Sequence, residues 1–341
     1  MSLTARRNRL FFIVIPILIV VLALCDIMLG SVRLAPREVV AALMGAGDET
    51  VRHIVVNFRL PKMLVAIMVG AALSAGGLQM QTLFRNPLAD PYVLGVSSGA
   101  SLGVSLFLLG APLVGLSAGA ELMRNLGMAG AAWIGTALIL MATLAVSMRI
   151  KDIMAILILG LMFGSATSAI VQLLQYMSPE GALKSYVIWT MGSLGAISLV
   201  QLAIMGIAIA AGLLLSVALV KPLNMLLLGE NYARTMGLDI GRTRRMIFLS
   251  TTLLAGTATA YCGPIGFIGI AVPHVARMLV RNADHRVLMP ASMTLGAAVM
   301  LLCDIISQLP GRETTLPINI VTALLGIPVV VTIIIRNRNV F

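Results

Sequence analysis

Long apolar runs, separated by short polar and basic segments, recur along the whole chain. At about 20 residues each, they are long enough to cross a bilayer as helices, and they lack the alternation of barrel strands. The pattern predicts ten spans, at about 10–30, 61–83, 92–111, 126–148, 153–177, 197–220, 246–262, 263–280, 288–309 and 316–335. The eighth is interrupted by Pro264, Gly266, Gly269 and Pro273, so it predicts a broken helix. Between the fifth and sixth spans, 178–195 (SPEGALKSYVIWTMGSLG) predicts an amphipathic helix lying on the outer surface. Small residues repeat four apart at Gly95/Gly99/Gly103 and at Gly160/Gly164, a spacing that lets helix backbones approach closely. The expected fold is all-α and polytopic.

Composition agrees. Of 341 residues, 59% are hydrophobic and 11% charged, with a mean hydropathy of +1.02. A soluble domain of this size cannot bury so much apolar surface. The net charge of +11 would suggest nucleic acid in a soluble protein, but the basic residues lie between apolar runs and aromatics are only 5%. Topology explains the charge better. With the N-terminus inside, the inner segments carry 16 Lys and Arg and the outer segments 8, as the positive-inside rule requires. An even number of spans puts both termini on the cytoplasmic side. The apolar run after Arg6, Arg7 and Arg9 is too long for a signal peptide and reads as a retained first helix. Cys25, Cys262 and Cys303 share no ligand or redox spacing and read as small buried hydrophobes. The three histidines form no metal motif.

The most informative polar segment is 221–245, which holds Lys221 and four arginines. Leu226, Leu227 and Leu228 run into Gly229, where the chain can turn sharply. Glu230 then opens a short helix with an acid at its positive end. Tyr232, Ala233 and Met236 fall on one helical face, and Gly237 stands where a helix stops. Two short helices with a knuckle at Gly229 suit a docking element as well as a plain cytoplasmic loop.

The energy source narrows the class. None of the four lysines follows a glycine, so there is no P-loop for ATP. Asp26 and Asp304 are the acids within the expected spans, and both lie toward span ends. An ion-coupled secondary transporter would keep such groups near the midplane; that reading is the alternative. No nucleophile–base or metal constellation indicates an enzyme. The reading is a permeation body with a docking loop and an engine on another chain.

Four motifs carry a resemblance. Arg59-Leu60-Pro61-Lys62 followed by VGAALSAGGLQMQTLFRNPLADPYVLGVSSGA (69–100), GENYARTMGLDIGRTR (229–244), GPIGFIGIAVPHVARMLV (263–280) with Asp284-His285-Arg286, and LPINIVTALLGIPV (316–329) occur in that order. Together they resemble the FecCD-type permeases, the membrane subunits of type II ABC importers for ferric siderophores, haem and cobalamin. The resemblance implies a BtuC-like permease of ten spans, with residues 1–341 as one transmembrane domain in a bacterial inner membrane. It implies a dimer with a second permease copy, two ABC ATPase subunits that bind ATP and Mg, an outer substrate-binding protein, and no cofactor in this chain. It assigns ATPase coupling to Leu228, Gly229, Glu230, Tyr232, Ala233, Met236, Gly237 and Leu238. A cytoplasmic gate falls at Asn86, Pro87 and Leu88, and binding-protein docking at Arg59, Lys62 and Arg312. His274 reads as structural. The chain departs from the pattern at Asn231, where many members have a second Glu. It departs again at Gln308, often Arg, and at Thr315-Leu316-Pro317, often Glu-Leu-Pro.

Overall fold

The computed structural model describes residues 3–30, 34–110, 121–147, 153–195, 197–308 and 315–336, and the regular structure among them is helical. The helices are α1 (Leu3–Met28), α2 (Pro36–Leu43), α3 (Glu49–Ile54), α4 (Leu60–Leu83), α5 (Val96–Ser105), α6 (Glu121–Ser147), α7 (Ile153–Met177) and α8 (Glu180–Thr190). They continue as α9 (Leu199–Ala218), α10 (Val220–Leu227), α11 (Glu230–Thr235), α12 (Ile240–Thr251), α13 (Thr257–Cys262), α14 (Ile268–Val280), α15 (His285–Ser307) and α16 (Ile318–Arg336). Among the described residues, five helical stretches are long and apolar enough to span a bilayer alone, and four more are shorter but apolar.

The boundaries differ from the apolar runs for local reasons. α1 starts ahead of its apolar run and takes in the arginines; Arg7 Nη2 donates to the carbonyl of Val280 at 2.8 Å, capping the end of α14. The second span begins as early as Glu49, because the helix passes Pro61 without stopping. A π-turn at Val55–Arg59 precedes the proline, and Leu60 N–H reaches back to the carbonyl of Val55. A wide turn of this kind lets a helix absorb a residue that cannot donate. A second π-turn, Thr252–Gly256, joins α12 to α13, and α12 begins at Ile240 because Asp239 accepts from the N–H of Arg242 at 2.9 Å. The eighth segment is broken only at its start: Gly263 and Phe267 have φ of 75° and 69° and helix resumes at Ile268, while Gly269 and Pro273, expected to interrupt it too, lie inside α14.

The chain forms two compact units. The first comprises residues 1–78, 193–207 and 265–341, and the second 79–192 and 208–264.

In the first unit, α15 packs against α1, α14 and α16. α4 joins through its small residues: a Cβ on Gly77 would overlap the backbone of Gly269, and one on Gly70 the backbone of Gly296. A polar network lies inside it. Lys62 Nζ pairs with Asp304 Oδ1 at 3.0 Å, and Gln308 Nε2 donates to Asp26 Oδ1 at 2.6 Å and to Asp304 Oδ2 at 3.2 Å. Arg59 Nη1 donates to the carbonyls of Ile27 and Met28 at 2.6 and 3.2 Å.

In the second unit, α5 packs against α6 and α7. Cβ atoms on Gly103 and Gly135 would overlap backbone atoms of the facing helix, so the α5–α6 contact is backbone on backbone. The core gathers Ala100, Val104, Leu109, Ala132, Tyr186, Trp189 and Ala260. The amphipathic helix therefore forms as α8, but with Tyr186 and Trp189 turned into the core rather than toward a membrane surface. A buried amide–hydroxyl network ties α4, α9 and α12: Gln79 Nε2 donates to Ser216 Oγ at 2.6 Å and Ser250 Oγ at 3.0 Å, and Thr251 Oγ1 donates to Gln79 Oε1 at 3.1 Å. Every polar end of Gln79 is satisfied, as a group at membrane depth must be.

Candidate coupling surface

The knuckle at Gly229 is real. Its φ of 102° and ψ of 152° belong to glycine alone among ordinary residues, and α10 and α11 meet there. α11 ends in a Schellman motif: Leu238 N–H donates to Ala233 O and Gly237 N–H to Arg234 O, both at 2.9 Å, with Gly237 at φ 84°. Glu230, in the first turn of α11, is held by Arg244 Nη2 at 3.0 Å. The short helix is thus fixed at both ends and pinned to α12.

Beside the exposed Asn231, Arg234 and Thr235, it presents large apolar and aromatic side chains. Tyr232 is 69% exposed, Leu228 61% and Met236 47%, while Leu227 is also exposed. Gly237 is exposed and Leu238 partly so. Ala233 corrects the expectation. It is fully buried within the chain, where its small side chain lets α11 sit close to α10 and α12. The exposed face is Tyr232 and Met236, four residues apart, without Ala233.

The turn at 84–91 lies beside this surface. α4 ends in a second Schellman motif, with Asn86 N–H to Gln81 O at 3.1 Å and Arg85 N–H to Thr82 O at 3.3 Å. Arg85 fills the left-handed position at φ 49°, which a glycine would fill more easily. Asn86 Oδ1 accepts from Leu88 N–H at 2.9 Å, a side-chain turn that holds Pro87 in place. Arg85 Nη1 lies 3.7 Å from where a Cβ on Gly229 would stand. The turn carrying Asn86, Pro87 and Leu88 and the knuckle carrying Gly229 are neighbours, an adjacency that sequence reading missed. Asp90 closes the turn by accepting from Tyr92 N–H at 2.9 Å. Its burial pushes the carboxyl up to about 6, against the opposing effect of that hydrogen bond.

The expected docking cations are placed otherwise. Arg59 and Lys62 are turned inward to partners in the same chain, as described above, so they are not a free positive surface. The sequence separation of Lys62 from Asp304 hid that pairing. Arg312 lies outside the described residues. His274 is half-buried in α14. Among the described residues no cluster of His, Cys, Asp and Glu could hold a metal ion.

The fold and this surface define an all-helical, multi-span membrane protein whose second unit carries an exposed knuckle at Gly229. Comparison with known proteins gives its kinship. Residues 17–336 match the FecCD transport family, and the chain belongs to that family. It is 35% identical over 336 residues to the vitamin B12 import system permease protein BtuC of Klebsiella pneumoniae, covering 98% of this chain and 96% of that one. It is 34% identical over 333 residues to the hemin transport system permease protein HmuU of Yersinia pestis, covering 97% of each. A solved structure described as an inward-facing metal-chelate type ABC transporter superposes with a TM-score of 0.83 at 29% identity, covering 96% of this chain and 99% of that one. PsaBC from Streptococcus pneumoniae shares the fold at a TM-score of 0.55 and 16% identity, covering 88% and 95%. The chain is a permease subunit of a bacterial ABC importer and not itself an ATPase; ATP is bound by the partner ATPase, and a binding protein completes the system.

Proposed function

We propose that this chain, as one permease domain in the bacterial inner membrane, forms half of the path of an ATP-driven importer for a bulky metal chelate or cobalamin. A second copy forms the other half. The relatives act on vitamin B12 and hemin, which supports that substrate range. Both termini and 221–245 lie in the cytoplasm, a reading that the inward excess of Lys and Arg supports. Leu228, Gly229, Glu230, Tyr232, Met236, Gly237 and Leu238 form the contact with the ATPase, and Asn86, Pro87 and Leu88 form the inner gate.

The observation that carries the proposal is the knuckle: a rigidly capped helix that turns Tyr232 and Met236 outward, with the gate turn beside it at Arg85. Helix-in-groove contacts rest on a few such anchors. ATPase movement felt at α11 would reach 85–88 directly. The test is reconstitution with the partner ATPase in liposomes. Import of chelate is expected only with ATP and Mg²⁺ on the ATPase side. Import driven by a proton or sodium gradient without the ATPase would reject the proposal in favour of a secondary transporter.

A further inference from the structure

Among the five stretches of described residues long enough to span a bilayer, α7 is the least buried, with 17% of its apolar window covered. Ile158, Met162, Ile170 and Leu173 are all exposed on it, as lipid contact or a second copy would require. One stripe breaks that rule. Ser165, Ser168, Gln172 and Gln175 follow one another at i, i+3, i+7 and i+10, so they share a face. Side-chain amides set against hydrocarbon would lose water without gaining partners. This face therefore belongs to water or to a polar ligand.

The structure supplies the space. Two adjoining cavities of about 460 and 300 Å³ lie along the stripe, sharing Ser98, Ser168 and Gln172. Across them stand α5, through Ser98 and Ser101, and Tyr92 from the turn before it. The walls are pre-organised. Tyr186 is buried beside Trp189, and Thr259 Oγ1 donates to Tyr92 Oη at 3.3 Å. α7 comes close to α5 because Gly164 has no side chain: a Cβ there would stand 3.1 Å from Ser98 Oγ. Neither cavity is lined by a charged side chain.

We propose that this groove is a ligand-binding wall of the path and that it takes an uncharged chelate with amide and hydroxyl oxygens on its outside, in preference to a flat apolar macrocycle bearing carboxylates. The proposal rests on the importer reading above and narrows its substrate. A wall of serine hydroxyls and glutamine amides offers donors and acceptors together, so it pairs with amide carbonyls, amide N–H groups and hydroxyls. It offers no cation for a carboxylate; its apolar lining is limited to Leu161, Ala169 and Val171, and the side chains of Tyr92 and Tyr186 are already engaged with Thr259 and Trp189. A corrinoid with amide arms and a neutral iron trihydroxamate share the chemistry that it favours.

The test uses the full chain with its partner ATPase in proteoliposomes. Cys25, Cys262 and Cys303 are replaced by alanine, and one cysteine is introduced by Ser168→Cys or by Gln172→Cys. Both positions are exposed, so the variants should fold. A charged, membrane-impermeant methanethiosulfonate reagent should modify both. Cyanocobalamin or a neutral ferric trihydroxamate should slow the modification several-fold, with the effective probe identifying the source, and haem should not. Gln172→Leu should abolish that protection at Ser168→Cys. Absence of labelling would place the stripe against protein or lipid and overturn the proposal. Equal or better protection by haem, or protection by neither oxygen-rich probe, would also overturn it. ATP-dependent uptake is scored separately in the same vesicles. Protection without ATP-driven uptake would remove the importer reading while leaving the binding groove established.

Discussion

Tyr232 and Met236 point away from the chain and Ala233 points into it, and this single rotation decides how the coupling reading is tested. A charge at Met236 reaches solvent in the isolated permease and harms only what docks there. Met236→Asp is therefore expected to leave folding intact and to weaken assembly with the ATPase by at least about 2 kcal/mol, as expected for a buried anchor. Copurification of the ATPase and chelate-stimulated turnover measure it; wild-type values would return 221–245 to a plain positive loop. Ala233→Asp is expected to lower thermal stability before any partner is added, because it buries an unpaired charge in this chain. Lys62 has a similar lesson. It holds Asp304, so Lys62→Met strands a buried carboxylate and should cost roughly 3–5 kcal/mol. Adding Asp304→Asn should recover much of that loss. If Lys62→Met unfolds like wild type and instead alters binding-protein docking, the surface role expected from sequence would be restored.

At the scale of the element, the helices are held by what they lack. A side chain on Gly103 would overlap the backbone of Ala131, so α5 and α6 cannot separate without losing a run of contacts. Gly103→Val should destabilise by about 3 kcal/mol, the upper end for overpacking. On α6 itself Gly130 faces open space, so Gly130→Ala should be neutral or slightly stabilising. Thermal unfolding in detergent distinguishes the pair, and equal midpoints would refute the packing account. The spacing of Gly95, Gly99 and Gly103 was legible in the sequence, as were the apolar runs, the Gly229 knuckle and the broken segment after Gly263. Each depends on residues a few positions apart. The π-turn before Pro61 was not legible, since a proline at a helix start and one absorbed inside a helix look alike locally. The orientation of Ala233 was hidden because one short turn can be rotated by the neighbours it packs on. Gln308 meeting Asp26, and Arg85 lying beside Gly229, depend on tertiary approach that no local pattern encodes.

Over the whole molecule, the two units are interleaved along the chain. Residues 79–192 and 208–264 make the second unit, while the first needs 1–78, 193–207 and 265–341. The Gln79–Ser216–Ser250 network lies entirely in the second unit, and the Lys62–Asp304–Gln308–Asp26 network entirely in the first. Each unit therefore carries its own buried polar clasp, which fixes its helices in register where apolar packing alone would let them slide.

That interleaving has a consequence for how the protein is made. A ribosome delivers the chain from its N-terminus, and every segment of the second unit has been synthesised once residue 264 is reached. α1 and α4 emerge long before that, yet their partners α14 and α15 are still untranslated. During that interval Asp26 awaits Gln308, Lys62 awaits Asp304, and Arg7 has no Val280 carbonyl to cap. The first segments to be made are thus among the last whose contacts in the fold are complete.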